Sequence, residues 1–334
     1  MDFKAYPLKF IPVYKDYLWG GRHLERFGRK LPEGIVAESW ELSTHPDGVS
    51  IIANGDYAGR ALPDYLKTFD RLALGREFST DHTGDFPLLI KWIDAHQKLS
   101  VQVHPNDEYA MTCEHGQRGK NEMWYILDAE PGARIIYDVK PGIDRTSFAK
   151  AVEEGRLEQC LQSLEVFPGD VIEIPAGVVH GLGAGILLAE IQQSSNLTYR
   201  IYDYDRVDAE GRKRPLHIEK ALNVINFATT TSLPLKRNSV EDRRGDGNFY
   251  KTLLSTPYFA VEKHEVHGEL NEHTHGERFY IWMVLGGKGS IRYDASSISL
   301  QPGETLFIPA ALGTYALQGD NLTLLKVYLP QLTQ

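Results

Sequence analysis

Short apolar runs that alternate with polar residues dominate this chain. They are rich in β-branched and aromatic residues, and Gly, Pro, Asp and Asn separate them. The segments that predict strands are Glu38–Ser43, Pro87–Asp94, Leu99–His104, Glu122–Leu127, Arg134–Val139, Asp170–Ile174, Ile186–Gln192, Thr198–Asp203, Tyr250–Ser255, Phe259–His267, Phe279–Leu285, Ser290–Asp294, Glu304–Ile308 and Leu322–Leu329. So many short strands between turn signals predict an all-β fold of jelly-roll β-barrel type.

Two segments carry a helical pattern instead. Phe148–Leu164 is charged and amphipathic, with apolar residues at three- and four-residue steps. His217–Phe227 is the second, and Pro215 just before it suits a helix start. We therefore expect a few short helices beside the strands.

The chain contains an internal repeat. Glu122-Met-Trp-Tyr-Ile resembles Glu277-Arg-Phe-Tyr-Ile, and Pro168-Gly-Asp-Val-Ile-Glu-Ile-Pro-Ala resembles Pro302-Gly-Glu-Thr-Leu-Phe-Ile-Pro-Ala. Such a repeat predicts two similar β units in tandem. Residues 229–248 lose apolar periodicity and gain charged and turn residues, which is typical of a linker. We expect a catalytic domain at 1–228, with N-terminal strands and a short helical insertion, and a second, degenerate domain at 249–334.

Charge and composition exclude several classes of function. The 334 residues include 36 Lys and Arg and 45 Asp and Glu, a formal net charge of −9, which argues against non-specific nucleic-acid binding. An anionic substrate would therefore need positive charge concentrated at its site. No apolar run reaches the roughly 18 residues of a membrane span, and the N-terminus does not read as a secretory signal. With two cysteines outside any C-x-x-C motif, we expect a cytoplasmic protein. We also expect a monomer or weak homodimer.

Candidate metal ligands lie on predicted strands. In Ser100-Val-Gln-Val-His-Pro the alternation puts Ser100, Gln102 and His104 on one face, with the two valines packed on the other. Lys120 and Glu122 share a face by the same parity.

His180 follows the Pro168–Pro175 segment and would complete a set of ligands. Two imidazoles, a carboxylate and an amide oxygen suit Zn, Fe(II), Mn or Co. A neutral amide leaves more positive charge on the metal, which favours use as a Lewis acid. A single His at a strand end is more often an ordinary core or surface residue. The prediction therefore depends on all four ligand types falling in one β unit.

Arg200 and Arg206 have the same strand parity, with Tyr202 and Tyr204 between them. Two guanidiniums on one face can bind a phosphate or an oxyanion. A solvated strand face with paired charges explains the pattern equally well, and both interpretations stay open.

These segments resemble type I mannose-6-phosphate isomerase, a family of cupin-fold zinc enzymes that interconvert mannose 6-phosphate and fructose 6-phosphate. The segments that carry the resemblance are Trp19-Gly-Gly, Ala37-Glu-Ser-Trp-Glu-Leu-Ser43, Ser100–Pro105, Gly119-Lys-Asn-Glu-Met-Trp124, Pro175-Ala-Gly-Val-Val-His180 and Ser194–Asp203. The spacing of 58 residues between 122 and 180 is typical of the short bacterial form.

The resemblance implies two cupin-type units, one Zn²⁺ per chain and a sugar-phosphate substrate. The zinc ligands it implies are Gln102, His104, Glu122 and His180. It also implies catalytic roles for Arg200, Lys120 and Glu190, and substrate or phosphate binding by Ser100 and Arg206. The proton carrier stays open between Glu190, Lys120 and a metal-bound water.

The second β unit has its own ligand-like residues, His273, His275 and Glu277. Counting from the matching prolines, however, the counterpart of His180 is Thr314. We interpret this segment as a decayed copy of the site or an exposed loop.

Two other functions compete with the isomerase. A cupin dioxygenase would hold Fe(II) with two His and a carboxylate, but Gln102 and the arginines fit it poorly. A non-catalytic sugar-phosphate-binding protein would keep the metal and bind the ligand without converting it.

Overall fold

The computed structural model describes residues 3–78, 85–228, 235–236, 242–243 and 246–330. Its strands are β1 Leu8–Ile11, β2 Val13–Lys15, β3 Glu38–Leu42, β4 Ile51–Ile52, β5 Leu88–Ala95, β6 Val101–Val103, β7 Glu122–Ala129, β8 Arg134–Val139, β9 Leu161–Glu165, β10 Val171–Ile174, β11 His180–Leu182, β12 Ile186–Gln193, β13 Tyr199–Tyr202, β14 Leu235–Lys236, β15 Asp242–Arg243, β16 Phe249–Ser255, β17 Ala260–His273, β18 Tyr280–Tyr293, β19 Ser296–Leu300, β20 Thr305–Ile308 and β21 Thr314–Tyr328. The α-helices are α1 Leu62–Leu74, α2 Asp107–Cys113, α3 Arg145–Glu153 and α4 Ile218–Val224. The predicted all-β fold with short helices is confirmed.

The described strands form three antiparallel sheets. A seven-stranded sheet has the order β14-β10-β7-β12-β5-β3-β2, and a five-stranded sheet has the order β13-β6-β11-β8-β9. The nine-stranded sheet runs β15-β16-β17-β21-β18-β20-β1-β4, with β19 paired to β18. The N-terminal strand β1 thus joins the sheet of the C-terminal unit, where Leu8 pairs with Phe307. Most of the predicted linker 229–248 lies outside the described residues, so the domain boundary stays a prediction.

The predicted helix Phe148–Leu164 is wrong in its second half. Helix α3 begins after Asp144, whose side chain and Ser147 form a capping box, and it ends at Glu153. Gly155 follows with a positive φ of 66°, and residues from Leu161 onward form β9 beside β8. Pairing between distant segments overrides a helical pattern there. The predicted helix at His217–Phe227 is confirmed in its core by α4.

Two further features differ from the prediction. Helices α1 and α2 were not predicted, although the buried face of α1 is mostly apolar. The segments Phe279–Leu285 and Ser290–Asp294 belong to one strand, β18, because the glycines between them cause register shifts instead of ending the pairing. No helix in the described ranges is both long and apolar enough to span a bilayer.

The internal repeat is visible as two matching turns. Gly169 donates its backbone N–H to the Ile126 carbonyl, and Gly303 donates to the Val284 carbonyl, both at 2.8 Å. Each glycine has a positive φ, 91° and 82° respectively. The two β units therefore share this local geometry as well as sequence.

The seven-stranded sheet separates two environments. One face carries polar and charged residues toward a cavity in the first unit, described below. The other face packs into a core shared with the nine-stranded sheet, to which Trp92, Met123 and Ala189 contribute from one side and Phe279 and Phe307 from the other. Successive residues of a strand point to opposite faces, so one strand serves both environments.

Candidate metal centre

Three neighbouring strands bring distant residues into one row. Gln102 on β6 lies opposite His180 on β11 and opposite Arg200 on β13. Glu122 begins β7 in the adjoining seven-stranded sheet. His104 follows β6 directly, two residues after Gln102 and on the same side of the strand.

His104, Glu122 and His180 lie close enough to share one ion. Their ligand atoms all fall within 4.8 Å of one another, and all three side chains are buried. His180 Nε2 lies 3.3 Å from Glu122 Oε1, and His104 Nε2 lies 3.6 Å from Glu122 Oε2. The side-chain amide of Gln102 lies 3.4 Å from His180 Nε2. All four side chains named from the sequence therefore meet at one point.

Backbone carbonyls orient both imidazoles. His104 Nδ1 donates to the Leu197 carbonyl at 2.7 Å, and His180 Nδ1 donates to the Val178 carbonyl at 2.9 Å. With the proton on Nδ1, each Nε2 presents a lone pair to the centre, which is the arrangement of metal-binding histidines. Burial lowers the pKa of His180 to about 4 and holds the pKa of His104 well below its ordinary value. Both rings are therefore neutral at pH 7.

The donor atoms fit a divalent cation. Among the described residues, buried Glu122 Oε1 receives no hydrogen bond, and its close neighbour His180 Nε2 is itself an acceptor. Burial raises the pKa of Glu122, because two buried acceptors that face each other repel unless a proton or a metal cation lies between them. Lys120 Nζ supplies positive charge to one side only, 2.8 Å from Glu122 Oε2 and 3.3 Å from His104 Nε2. Two imidazole nitrogens, a carboxylate and an amide suit Zn²⁺ and its neighbours.

A cavity of about 290 Å³ opens beside this centre. Four of its lining residues are cations and two are carboxylates, in a chain whose net charge is −9. The cations are Lys91, Lys120, Arg200 and Arg214, and the carboxylates are Glu38 and Glu190. The local positive charge that an anionic substrate requires is therefore present.

Lys91 is a buried residue of the cavity wall. Its Nζ lies 2.9 Å from Glu190 Oε2 and 3.4 Å from Glu38 Oε2. Trp124 Nε1 donates to Glu190 Oε1 at 3.1 Å, and Trp40 Nε1 donates to Glu38 Oε2 at 2.7 Å. Burial opposes the ionisation of Glu190, but Lys91 and Lys120 outweigh it and lower the pKa of this carboxyl. Glu190 is therefore an ionised acceptor fixed in direction.

Most of the site residues predicted from the sequence, apart from the buried His and Glu ligands, line this cavity. They are Ser100, Gln102, Lys120, Glu190 and Arg200.

Arg206 is not among the residues that line the cavity. Its guanidinium donates to the Lys98 carbonyl at 2.5 Å and to the Asp203 carboxylate. The same carboxylate accepts two hydrogen bonds from Arg214, at 2.8 and 2.6 Å, and Arg214 does line the cavity.

Sequence reasoning missed Glu38, Lys91 and Arg214 as cavity residues. Lys91 had a signal, since it is a charged residue inside a strand whose eight residues are all buried. Glu38 lay in a segment that carried the family resemblance. Arg214 had no such signal in the sequence, because it reaches the cavity from an irregular loop.

The second unit repeats the strand pairing of the first unit but not its group of buried ligand residues. His273 pairs with Thr314 as Gln102 pairs with His180, but the side chains of His273 and Thr314 are exposed. His275 donates its backbone N–H to His273 Nδ1, and Glu277 pairs with Arg76 at 2.6 Å. In the part of the chain that the structure describes, His104, Glu122 and His180 form the single group of three or more His, Cys, Asp or Glu able to share a metal.

The comparisons with known proteins all indicate the same family. Residues 8–131 match the model of the phosphomannose isomerase type I catalytic domain, and residues 250–329 match that of the mannose-6-phosphate isomerase cupin domain. Mannose-6-phosphate isomerase ManA of Bacillus subtilis is 37% identical over 313 residues, which cover 94% of this chain and 96% of the relative. Mannose-6-phosphate isomerase of Streptococcus mutans is 34% identical over 95% of this chain and 96% of its own.

A solved structure supports the same assignment. The crystal structure of mannose 6-phosphate isomerase from Bacillus subtilis superposes with a TM-score of 0.87 at 34% identity, covering 97% of this chain and 99% of the other. The sequence, the fold and the buried His-Glu-His group agree, and this chain belongs to the type I mannose-6-phosphate isomerase family.

Proposed function

We propose that this protein interconverts mannose 6-phosphate and fructose 6-phosphate, with one Zn²⁺ held by Gln102, His104, Glu122 and His180. The observation that carries the proposal is the pair of facing buried acceptors, Glu122 Oε1 and His180 Nε2, beside a cavity rich in cations. We also propose a cytoplasmic location and a monomeric or weakly dimeric state.

The reaction moves a proton between two neighbouring carbons through a cis-enediol(ate), so negative charge develops on a substrate oxygen. A bound divalent metal supplies positive charge where that oxygen develops its charge. Glu122, His104 and His180 hold this charge in a buried centre, where electrostatic interactions are stronger than in water.

Arg200 is suited to stabilise the enediolate. Its Nη1 donates to the Pro215 carbonyl at 2.9 Å, whereas its buried Nε has no hydrogen-bond partner among the described residues. Burial and the nearby Arg214 lower the pKa of Arg200, so an anion placed beside both guanidiniums relieves an unfavourable interaction.

We expect Arg214 to bind the phosphate group of the substrate. Asp203 fixes Arg214 and also binds Arg206, so Arg206 contributes to the phosphate site through this shared carboxylate. Binding energy from a remote phosphate orients the reacting carbons.

Glu190 and Lys120 are the groups that move protons in this proposal. Glu190 takes the proton from one of the two neighbouring carbons and returns it to the other, whereas Lys120, paired with Glu122, gives a proton to the carbonyl oxygen and regains one from the neighbouring hydroxyl. Ser100 lines the same cavity and is placed to bind a substrate hydroxyl.

One experiment tests the function directly. The protein is assayed with mannose 6-phosphate and with other sugar phosphates in a coupled assay, and the metal content of the same sample is measured. We expect turnover of mannose 6-phosphate that depends on one bound metal per chain. Tight binding without turnover would instead indicate a sensor, and oxygen uptake after iron loading would indicate a dioxygenase.

A further inference from the structure

Individual strands of the seven-stranded sheet carry residues on both of its faces. Lys91 on β5 lines the cavity, and the next residue, Trp92, packs in the core shared with the second unit. On β3, Glu38 lines the cavity, whereas Glu41 points the other way. The back face and the cavity therefore share the backbone of β3 and β5.

A turn of the second unit contacts this back face through one carbonyl group. Gly303 O accepts a hydrogen bond from Trp92 Nε1 at 3.0 Å and another from the Arg29 guanidinium. Arg29 also makes two hydrogen bonds to Glu41, at 2.6 and 2.7 Å. A single backbone carbonyl thus ties β5 and β3 together behind the Lys91–Glu38 pair.

Position 303 has no space for a side chain. Gly303 has a φ of 82°, and a Cβ there would lie 2.7 Å from Cγ of the Phe27 ring. That ring packs on Trp92, with centroids 5.2 Å apart. A methyl group at 303 would therefore push Phe27 against the residue next to Lys91.

The repeat supplies a matched control. Gly169 makes the corresponding hydrogen bond in the first unit, and its φ is 91°. A Cβ at Gly169 would meet no atom within 4 Å. Alanine at 169 or 303 therefore causes the same backbone strain, but only position 303 adds a contact.

We propose that the second, degenerate unit positions the Lys91–Glu38 pair, and through Lys91 the carboxylate of Glu190, for catalysis. Gly303 and Trp92 are the positioning residues. The inference rests on the proposed isomerase function. It assigns the second unit a role in turnover, although the ligand-like residues of that unit do not form a metal site.

The first test compares Gly303→Ala with Gly169→Ala. We expect both variants to fold and to keep full metal content, with a larger loss of thermal stability for Gly303→Ala because the contact with Phe27 adds to the backbone strain. Both are assayed well below their unfolding midpoints. Only Gly303→Ala should lose kcat, by about tenfold or more, because small displacements in an active site have large kinetic effects. Its KM should change less. If the two variants have kcat values within about twofold of each other, the proposal is overturned.

A second pair of variants covers the case in which Gly303→Ala does not fold. Trp92→Phe removes the indole N–H that binds Gly303 O, and Trp282→Phe removes a similar buried bond to Tyr315 in the second unit. We expect a several-fold lower kcat for Trp92→Phe than for Trp282→Phe at equal metal content. Equal kcat values overturn the proposal.

Rescue and structure separate positioning from general damage. Phe27→Ala in the Gly303→Ala background removes the ring that the methyl group would press against Trp92, and it should restore part of kcat. Crystal structures of wild type and Gly303→Ala should show Lys91 Nζ displaced from Glu38, and an unchanged pair contradicts the proposal. The crystal structures test the positioning role without reference to catalysis. Turnover of mannose 6-phosphate by the wild type tests the proposed isomerase function separately.

Discussion

Arg200 on β13 lies directly opposite Gln102 on β6. His180 lies opposite the same glutamine on the other side, in β11. Opposed residues in antiparallel strands are about 5 Å apart, so Arg200, Gln102 and His180 form one row across the five-stranded sheet. An oxygen bound beside Gln102 and His180 is therefore within reach of the arginine.

Arg200→Ala should lower kcat by about 10²- to 10³-fold, because it removes a positive group that stabilises the developing oxyanion. Metal content should stay at one per chain, since among the described residues the guanidinium donates to the Pro215 carbonyl and not to any of the four proposed ligands. Arg212→Ala is the control, because this arginine is exposed and pairs with Asp208 and Glu210. Steady-state kinetics and metal analysis of the same preparations check both statements. Near-normal turnover would remove Arg200 from the catalytic residues.

Glu122→Ala should lose the metal. Its carboxylate lies within 3.6 Å of both imidazole Nε2 atoms, and no other carboxylate belongs to the metal-capable group in the described ranges. Loss of a direct ligand should weaken metal binding by more than the roughly 10- to 100-fold effect of losing an outer hydrogen bond. Glu277→Ala, at the repeat counterpart, should keep full metal content. Competition with a chelator measures both affinities.

Removal of the metal from the wild type should lower its stability. Without the cation, Glu122 Oε1 and His180 Nε2 face each other as buried acceptors. A ligand that binds only the folded state stabilises it by about 2.7 kcal/mol at 100 times its Kd. Thermal unfolding before and after chelation, and again after addition of Zn²⁺, should show a lower midpoint that Zn²⁺ restores. An unchanged midpoint contradicts a buried structural role for the ion.

Arg214→Ala should raise KM for mannose 6-phosphate by about tenfold or more with a smaller change in kcat, because the lost interaction is with the remote phosphate. Arg206→Ala decides between the two arginines. If Arg206 acts only through Asp203, its loss should raise KM less than the loss of Arg214. A larger effect of Arg206→Ala would support the direct phosphate contact that the family resemblance implies. Saturation kinetics of the three proteins gives the comparison.

Lys326→Met should destabilise the second unit without changing kcat. Lys326 Nζ lies 2.6 Å from Glu272, both side chains are more than nine-tenths buried, and the ammonium also lies over the Tyr280 ring at 4.2 Å. Loss of one partner of a buried pair costs about 3–5 kcal/mol. Urea unfolding measures the loss, and kinetics below the transition shows whether turnover is unaffected.

Local alternation determined much of the candidate site. In Ser100–Pro105 the period of two is enough to decide that Ser100, Gln102 and His104 share a face, because strand geometry is set by neighbouring residues. The repeated turn at Gly169 and Gly303 was visible for the same reason, since a left-handed turn needs glycine at a definite place in the chain.

Contacts between distant segments were decided by the tertiary structure alone. The sequence placed Arg206 beside Arg200 by parity, but the turn after β13 directs Arg206 to Asp203 and brings Arg214 to the cavity instead. Likewise, pairing with β8 converts the end of the predicted helix into β9. Nothing near Lys91 in the chain indicates that Glu190, Glu38 and the turn at Gly303 surround β5. Which strands become neighbours depends on packing over the whole chain, whereas the face that each side chain occupies depends on its own strand.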